Sequence, residues 1–131
     1  MKNIFRQKVF YSDTDSYGVV WHGSYLRWLE MGRVLLCEDR GYKLSELEKM
    51  DIVLPVCELN IKYKQSAKLD DIIEVETEVV DCSRFCLTFK QTILDSITKK
   101  VCVEAIVKVV AINNQGKLYK TLPLEIKKIF S

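Results

Sequence analysis

Asp13-Thr14-Asp15-Ser16-Tyr17-Gly18-Val19-Val20-Trp21-His22 lies between a strand-like run, residues 4–11, and a helix-like run that begins at about Gly23. Two carboxylates, a glycine, an apolar pair and the single histidine of the chain fall within it. Asp13 and Asp15, two residues apart, would share a face if the strand continued, but Ser16, Tyr17 and Gly18 predict a bend from which Asp15 projects. His22 then sits beside the first turn of the helix, where unpaired N–H groups and the positive dipole end favour developing negative charge. A carboxylate facing such a helix start has the geometry of an acyl-transfer site. Each residue also has a plainer reading. Asp13 is expected to satisfy turn backbone groups, and a lone histidine at a helix start is more often a cap or core residue than a base. Spacing alone leaves the role of Asp15, and so the function, open.

Working outward, residues 4–11 place Phe5, Val9 and Tyr11 on one side of a strand. From Gly23 to about Arg40, Tyr25, Trp28, Leu29, Leu35 and Leu36 recur at helical spacing, and Leu26, Met31 and Val34 widen the apolar surface. A helix with so broad an apolar surface is expected to be wrapped by a sheet, with Gly32 permitting close approach and Gly41 supplying a left-handed stop. Ser45-Glu46-Leu47-Glu48 has the pattern of a capping box, so a short helix is expected from Ser45 to about Met50. After Pro55, residues 57–64 alternate as a strand with one wet face. Further strands are expected over 72–80, 85–94 and 101–112, the first two joined by a turn at 81–83, and Pro123 opens a short terminal helix. This order, with no crossover helices between the later strands, predicts an α+β domain over residues 1–131: an antiparallel sheet curled around one long central helix.

At 131 residues with 48% hydrophobic and 29% charged residues, the composition is that of a globular domain able to bury about two-thirds of its unfolded surface. There is no long apolar run or signal peptide, so a cytoplasmic protein without membrane insertion is expected. A net charge of +2 with dispersed lysines argues against nucleic acid as a partner. The cysteines, Cys37, Cys57, Cys82, Cys86 and Cys102, form no C-x-x-C pair, and one histidine limits the supply of metal ligands. Reduced thiols, mostly in the core, and no metal or other cofactor are expected.

The stretch from Tyr11 to Tyr25 resembles the signature of the 4-hydroxybenzoyl-CoA thioesterase family of hotdog-fold proteins, and most the bacterial acyl-CoA thioesterase branch associated with the Tol-Pal system. The pattern D-x-D-x-x-G-V-V-x-H-x-x-Y carries the resemblance. It continues through Glu30 and Arg33, Pro55-Val56, and Ala67-Lys68-Leu69-Asp70-Asp71. The resemblance implies an acyl-CoA thioesterase in which Asp15 attacks the thioester carbonyl or activates water, the backbone N–H at His22 polarises the carbonyl oxygen, and the His22 ring has a supporting role. It implies a homodimer or homotetramer with sites across the subunit interface. Gly18, Val19, Trp21 and Tyr25 are the expected substrate contacts of the motif, although an aromatic at either of the last two positions is more often core. By the same resemblance Pro55, Val56 and Cys57 line the acyl channel, while Arg84 and Cys86 approach the CoA arm. Acyl-carrier protein stays open as an alternative carrier.

Two departures stand out: Cys86 where relatives commonly have Ser, and Ser66 where many have Pro. Cys86 is not read as a nucleophile, since no neighbouring residue in the sequence offers to lower its pKa. Two other functions compete. Hotdog hydratases separate their Asp and His by four residues, whereas six lie between Asp15 and His22. A non-catalytic module of hotdog or cystatin-like fold would bind an acyl group without turnover.

Overall fold

A computed structural model describes residues 2–130. The elements are β1 (Lys2–Lys8), a 3-10 turn (Tyr11–Asp13), α1 (His22–Asp39), α2 (Leu44–Lys49), β2 (Val56–Tyr63), β3 (Ile72–Cys82), β4 (Leu87–Asp95), β5 (Val101–Val109) and α3 (Leu124–Phe130). One antiparallel sheet has the order β1-β3-β4-β5-β2. The α1 helix lies across one face of it, mainly against β3, β1 and β4. The element order predicted this antiparallel sheet with one long helix against it, and the family resemblance implied its hotdog arrangement.

Period-two patterning sets the two sheet faces. Ile73, Val75 and Thr77 on β3, Leu87, Phe89, Gln91 and Ile93 on β4, and Val103, Ala105, Val107 and Val109 on β5 are buried beneath the helices. The α1 helix contributes Tyr25, Trp28, Leu29, Leu36 and Cys37 to the same core. Gly32 is required where the helix comes closest: an added Cβ would lie 2.4 Å from Thr77 Oγ1 and 3.0 Å from Gln91 Nε2. There the fully buried Gln91 donates from Nε2 to Leu29 C=O and Thr77 Oγ1, both at 2.8 Å, and accepts from Arg33 Nη1 at 3.0 Å. Burial lowers the pKa of the Arg33 guanidinium.

Several local expectations are corrected. The first strand ends at Lys8 because the chain breaks into the 3-10 turn, and this leaves Tyr11 81% exposed. The capping box at Ser45 does not form. Helix α2 begins at Leu44, and its N-cap Lys43 makes no side-chain cap bond. The β3–β4 turn falls at 83–86, with Ser83 N–H donating to Cys86 C=O, so Phe85 is an exposed turn residue. Strand β2 is wet on both faces instead of one. It forms a sheet edge that α1 meets at Tyr63 through Tyr25, and only Ile61 is partly buried against the core, so Leu59 and Tyr63 stay 40% and 51% exposed although their β5 partners, Val107 and Val103, are buried. The left-handed stop at Gly41 (φ 97°) and the terminal helix after Pro123 are as expected.

Candidate active site

Backbone hydrogen bonds set the shape of the 13–22 loop. Asp13 is buried. Its carboxylate accepts the Phe10 N–H at 2.9 Å and pairs with Arg27, while its carbonyl accepts the Trp21 N–H at 2.9 Å and the Ser24 hydroxyl at 3.1 Å. It ties the loop to the first turn of α1 and fills the structural role read for it. Asp15 heads a tight turn, with its N–H donating to Val19 C=O and its carbonyl accepting from Gly18 N–H. Gly18 takes the positive φ of 80° that the turn needs. The Asp15 side chain is half-buried. Oδ1 accepts the Tyr17 N–H at 2.8 Å, and Oδ2 accepts no hydrogen bond among the described residues. One carboxylate oxygen is therefore fixed and the other available.

Past the turn, Val20 N–H donates to Ala67 C=O, and Val19 bridges to Lys68. Helix α1 then starts with no side-chain cap at Trp21, and the N–H groups of His22 and Gly23 donate to nothing among the described residues. These are the orphan donors of a helix start. The Trp21 ring lies over Gly23, where an added Cβ would fall within 2.6 Å of it, and it meets the His22 ring at a centroid distance of 5.2 Å. Trp21 and His22 are both exposed.

The remaining expected site residues divide into three groups. Tyr25 is 3% exposed, packed on Trp28 and Tyr63, with its hydroxyl accepting the Ala67 N–H at 2.9 Å. Its contacts are with the protein core. Burial raises the Tyr25 pKa, partly offset by the Ala67 N–H, so the hydroxyl stays protonated. A second group surrounds a cavity of about 420 Å³ between α1, α2 and the sheet. Its walls include Val34, Leu47, Ile52, Leu54, Val56 and Phe89, with Glu30 and Arg33 of α1 among the polar groups. Of the three residues expected to line an acyl channel, Val56 borders this cavity, and Pro55 and Cys57 adjoin it in sequence. Along α1 the cavity begins roughly 12 Å from His22, the rise over eight residues between His22 and Glu30.

Arg84 and Cys86 form the third group. Strand β3 runs from beside the 67–71 turn to the 83–86 hairpin, so that hairpin is roughly 33 Å from the Asp15 end of the same chain. Arg84 is exposed, its guanidinium over the Phe85 ring at 5.2 Å and its carbonyl accepting the Leu122 N–H. Cys86 donates its N–H to Ser83 Oγ. Neither is brought to Asp15 within the chain.

All five cysteines are free; Cys37 and Cys102 lie in the core and Cys82 packs against it, as expected of mostly core thiols, whereas Cys57 is exposed on β2. Burial pushes the Cys37 thiol up to about 11, partly offset by Arg33. A maleimide at pH 7 should therefore label Cys86, partly exposed at the β3–β4 turn, before Cys37, which stays unmodified until the protein unfolds. Mass spectrometry of the labelled peptides checks this order, and early modification of Cys37 would contradict it.

The sequence pattern of the Thioesterase-like superfamily matches residues 9–130. The chain belongs to that superfamily. It is 32% identical over 127 residues to the acyl-CoA thioesterase YbgC of Haemophilus influenzae, covering 96% of this chain and 92% of that one. It is 37% identical over 78 residues to the putative acyl-CoA thioesterase YneP of Bacillus subtilis, a match that spans 60% of this chain and only 56% of the relative. Among solved structures, a 4-hydroxybenzoyl-CoA thioesterase variant in complex with 4-hydroxybenzoyl-CoA superposes with a TM-score of 0.88 over 99% of both chains, at 19% identity. That likeness is one of fold. The resemblance read from the Asp15 motif and the thioester hydrolase class it implied agree with this membership. No helix among the described residues is long and apolar enough to cross a membrane.

Proposed function

We propose that the chain hydrolyses an acyl-CoA thioester to a carboxylic acid and free CoA. One observation carries the reading: a half-buried carboxylate with one free oxygen, Asp15, is held by a short loop that is hydrogen-bonded through Asp13 to a helix start with two unpaired N–H groups, in a thioesterase-like chain. The carbonyl oxygen of the thioester would rest on the His22 and Gly23 N–H groups. Each such donor typically lowers a barrier of this kind by about 2.7 to 4 kcal/mol. Asp15 either attacks the carbonyl, giving a mixed anhydride that water then cleaves, or takes a proton from an attacking water. In both routes the thiolate leaves as CoA and the negative charge develops at the helix start. The His22 ring, exposed beside it, supports the site and is not required as the base.

The oligomer belongs to the same proposal. Strand β2 is an unpaired edge, and a two-fold axis across it pairs β2 with its copy antiparallel. Val56 and Tyr63 lie at opposite ends of β2, roughly 23 Å apart, and Tyr63 packs on Tyr25 near the Asp15 end. Antiparallel pairing would bring the Val56 end of one subunit to the Tyr63 end of the other. The Asp15 of one protomer would then face the cavity of its partner, with that cavity, including Glu30 and Arg33, taking the acyl group. Pro55, Val56 and Cys57 would lie at the interface, and Arg84 of the partner would be on the side from which the CoA arm enters.

Thiol release from short-chain, long-chain and aromatic acyl-CoAs, corrected for the five cysteines of the chain, tests the reaction. Turnover on one class is the expected result. Binding of acyl-CoA or acyl-carrier protein without turnover on any class would replace it with the non-catalytic module. The interface has its own test. Lys64 N–H, just past β2, donates to Cys102 C=O of β5, so by alternation Asn60 faces β5 and Leu59 turns its N–H to the open edge. Leu59→Pro removes that outer donor and should shift the protein to monomers in sedimentation, with loss of most activity. A fully active monomer would defeat the shared site.

A further inference from the structure

We infer that Tyr25 is a positioning residue for this reaction, its hydroxyl anchoring the 67–71 turn that in turn fixes Asp15 against the start of α1. The inference rests on the hydrolase reading above, and nothing in that reading requires the Tyr25 hydroxyl.

The connection can be followed bond by bond. The Tyr25 ring is fixed by an edge-on contact with Trp28, centroids 5.7 Å apart, and by Tyr63 at 5.9 Å. With the ring held, the hydroxyl has one place to be, and there it accepts the Ala67 N–H at 2.9 Å. The carbonyl of the same Ala67 accepts the Val20 N–H at 2.9 Å, and the next residue, Lys68, pairs with Val19. Val20 closes back on Thr14, and Val19 C=O accepts the Asp15 N–H. The path from Tyr25 to Asp15 therefore has no gap.

The turn itself is stiff. Lys68 N–H donates to the Asp71 carboxylate at 2.9 Å, Asp71 N–H donates to Lys68 C=O, and Asp70 holds a positive φ of 71°. Val9 exchanges hydrogen bonds with Asp70 and Asp71, which joins the turn to the end of β1. The run Ala67-Lys68-Leu69-Asp70-Asp71, prominent in the sequence, thereby gains a purpose.

The Asp15 turn is thus attached to the first turn of α1 at both ends. Asp13 attaches one end through Trp21 and Ser24, and Tyr25 attaches the other through Ala67. The carboxylate and the free N–H groups must keep one separation for attack and oxyanion binding to coincide, and a shift of about 1 Å from a distant change can cost on the order of a hundredfold in rate.

Tyr25→Phe keeps the ring and removes only the anchor. The expected result is a fall in kcat of about ten- to a hundredfold with KM unchanged within about twofold, and faster amide hydrogen exchange at Asp15 and Val20. Asn3→Ala is the comparison: it deletes the Asn3–Asp39 hydrogen bond at the other end of α1 and should leave both readouts alone. Unchanged exchange at Asp15 and Val20 in Tyr25→Phe would overturn the inference, as would an equal loss of kcat in Asn3→Ala. Failure of the wild type to turn over any acyl-CoA would sink the hydrolase reading instead, while the exchange measurement still decides whether Tyr25 holds the turn.

Discussion

Asp15→Asn is expected to lower kcat for acyl-CoA hydrolysis by about 10²- to 10⁴-fold, the range over which one acid or base group contributes, and to shift the melting temperature by less than about 2 °C. The two halves of this result come from the two oxygens of one side chain. Oδ1 serves the turn by accepting the Tyr17 N–H at 2.8 Å, and an asparagine oxygen can accept the same bond. The turn should therefore form in the variant. Oδ2 is the atom left for chemistry, and the substitution makes it a neutral amide that can neither attack a carbonyl nor take a proton from water. Thiol release together with a thermal melt checks both halves. Full turnover in a folded Asp15→Asn protein would end the Asp15 mechanism, whereas a large fall in melting temperature would show that Asp15 acts as a structural residue like Asp13.

The difference between these two aspartates explains how much of the site was legible in the sequence. Turn chemistry predicted that Asp13 would serve the backbone and that Asp15 would project from a bend, because Gly18 allows the positive φ that closes such a turn. The helix start beside His22 followed from the change in apolar period. Position across the sheet was harder to read. Arg84 and Cys86 were expected at the CoA arm only across a subunit interface, and within the chain β3 carries their hairpin to the end far from Asp15. Local pattern also misjudged β2. Its alternation signals a strand with one apolar face, but whether that face is covered depends on where α1 lies, and α1 sits over β3, β1 and β4. The hydroxyl of Tyr25 was equally hard to place from local pattern. An aromatic next to a site motif resembles a substrate contact, and only the Ala67 hydrogen bond, 42 residues away in sequence, shows what its hydroxyl touches.

Gly32→Ala should destabilise the fold by about 3 kcal/mol, a large share of the 5–15 kcal/mol that holds a domain of this kind. Helix propensity alone predicts the opposite sign, since alanine in a helix interior is favoured over glycine by about 1 kcal/mol. Packing decides the outcome. The new Cβ would lie 2.4 Å from Thr77 Oγ1 and 3.2 Å from a Val75 methyl, and both belong to a buried strand that cannot move away independently. Overpacking of this kind costs about 1–3 kcal/mol. Displacing Thr77 or lifting α1 also strains the Gln91 hydrogen bonds to Leu29 and Thr77, and a buried amide left without partners costs about 1–3 kcal/mol more. The melting temperature should fall by roughly 10 °C. A second substitution identifies the cause. In a Thr77→Ala background the hydroxyl that the new methyl strikes is gone, so Gly32→Ala should cost at least about 1 kcal/mol less there, a coupling of the size seen between residues in contact. If Gly32→Ala raises the melting temperature, or costs the same in both backgrounds, the close approach of α1 to β3 at Thr77 is not what demands a glycine at this position.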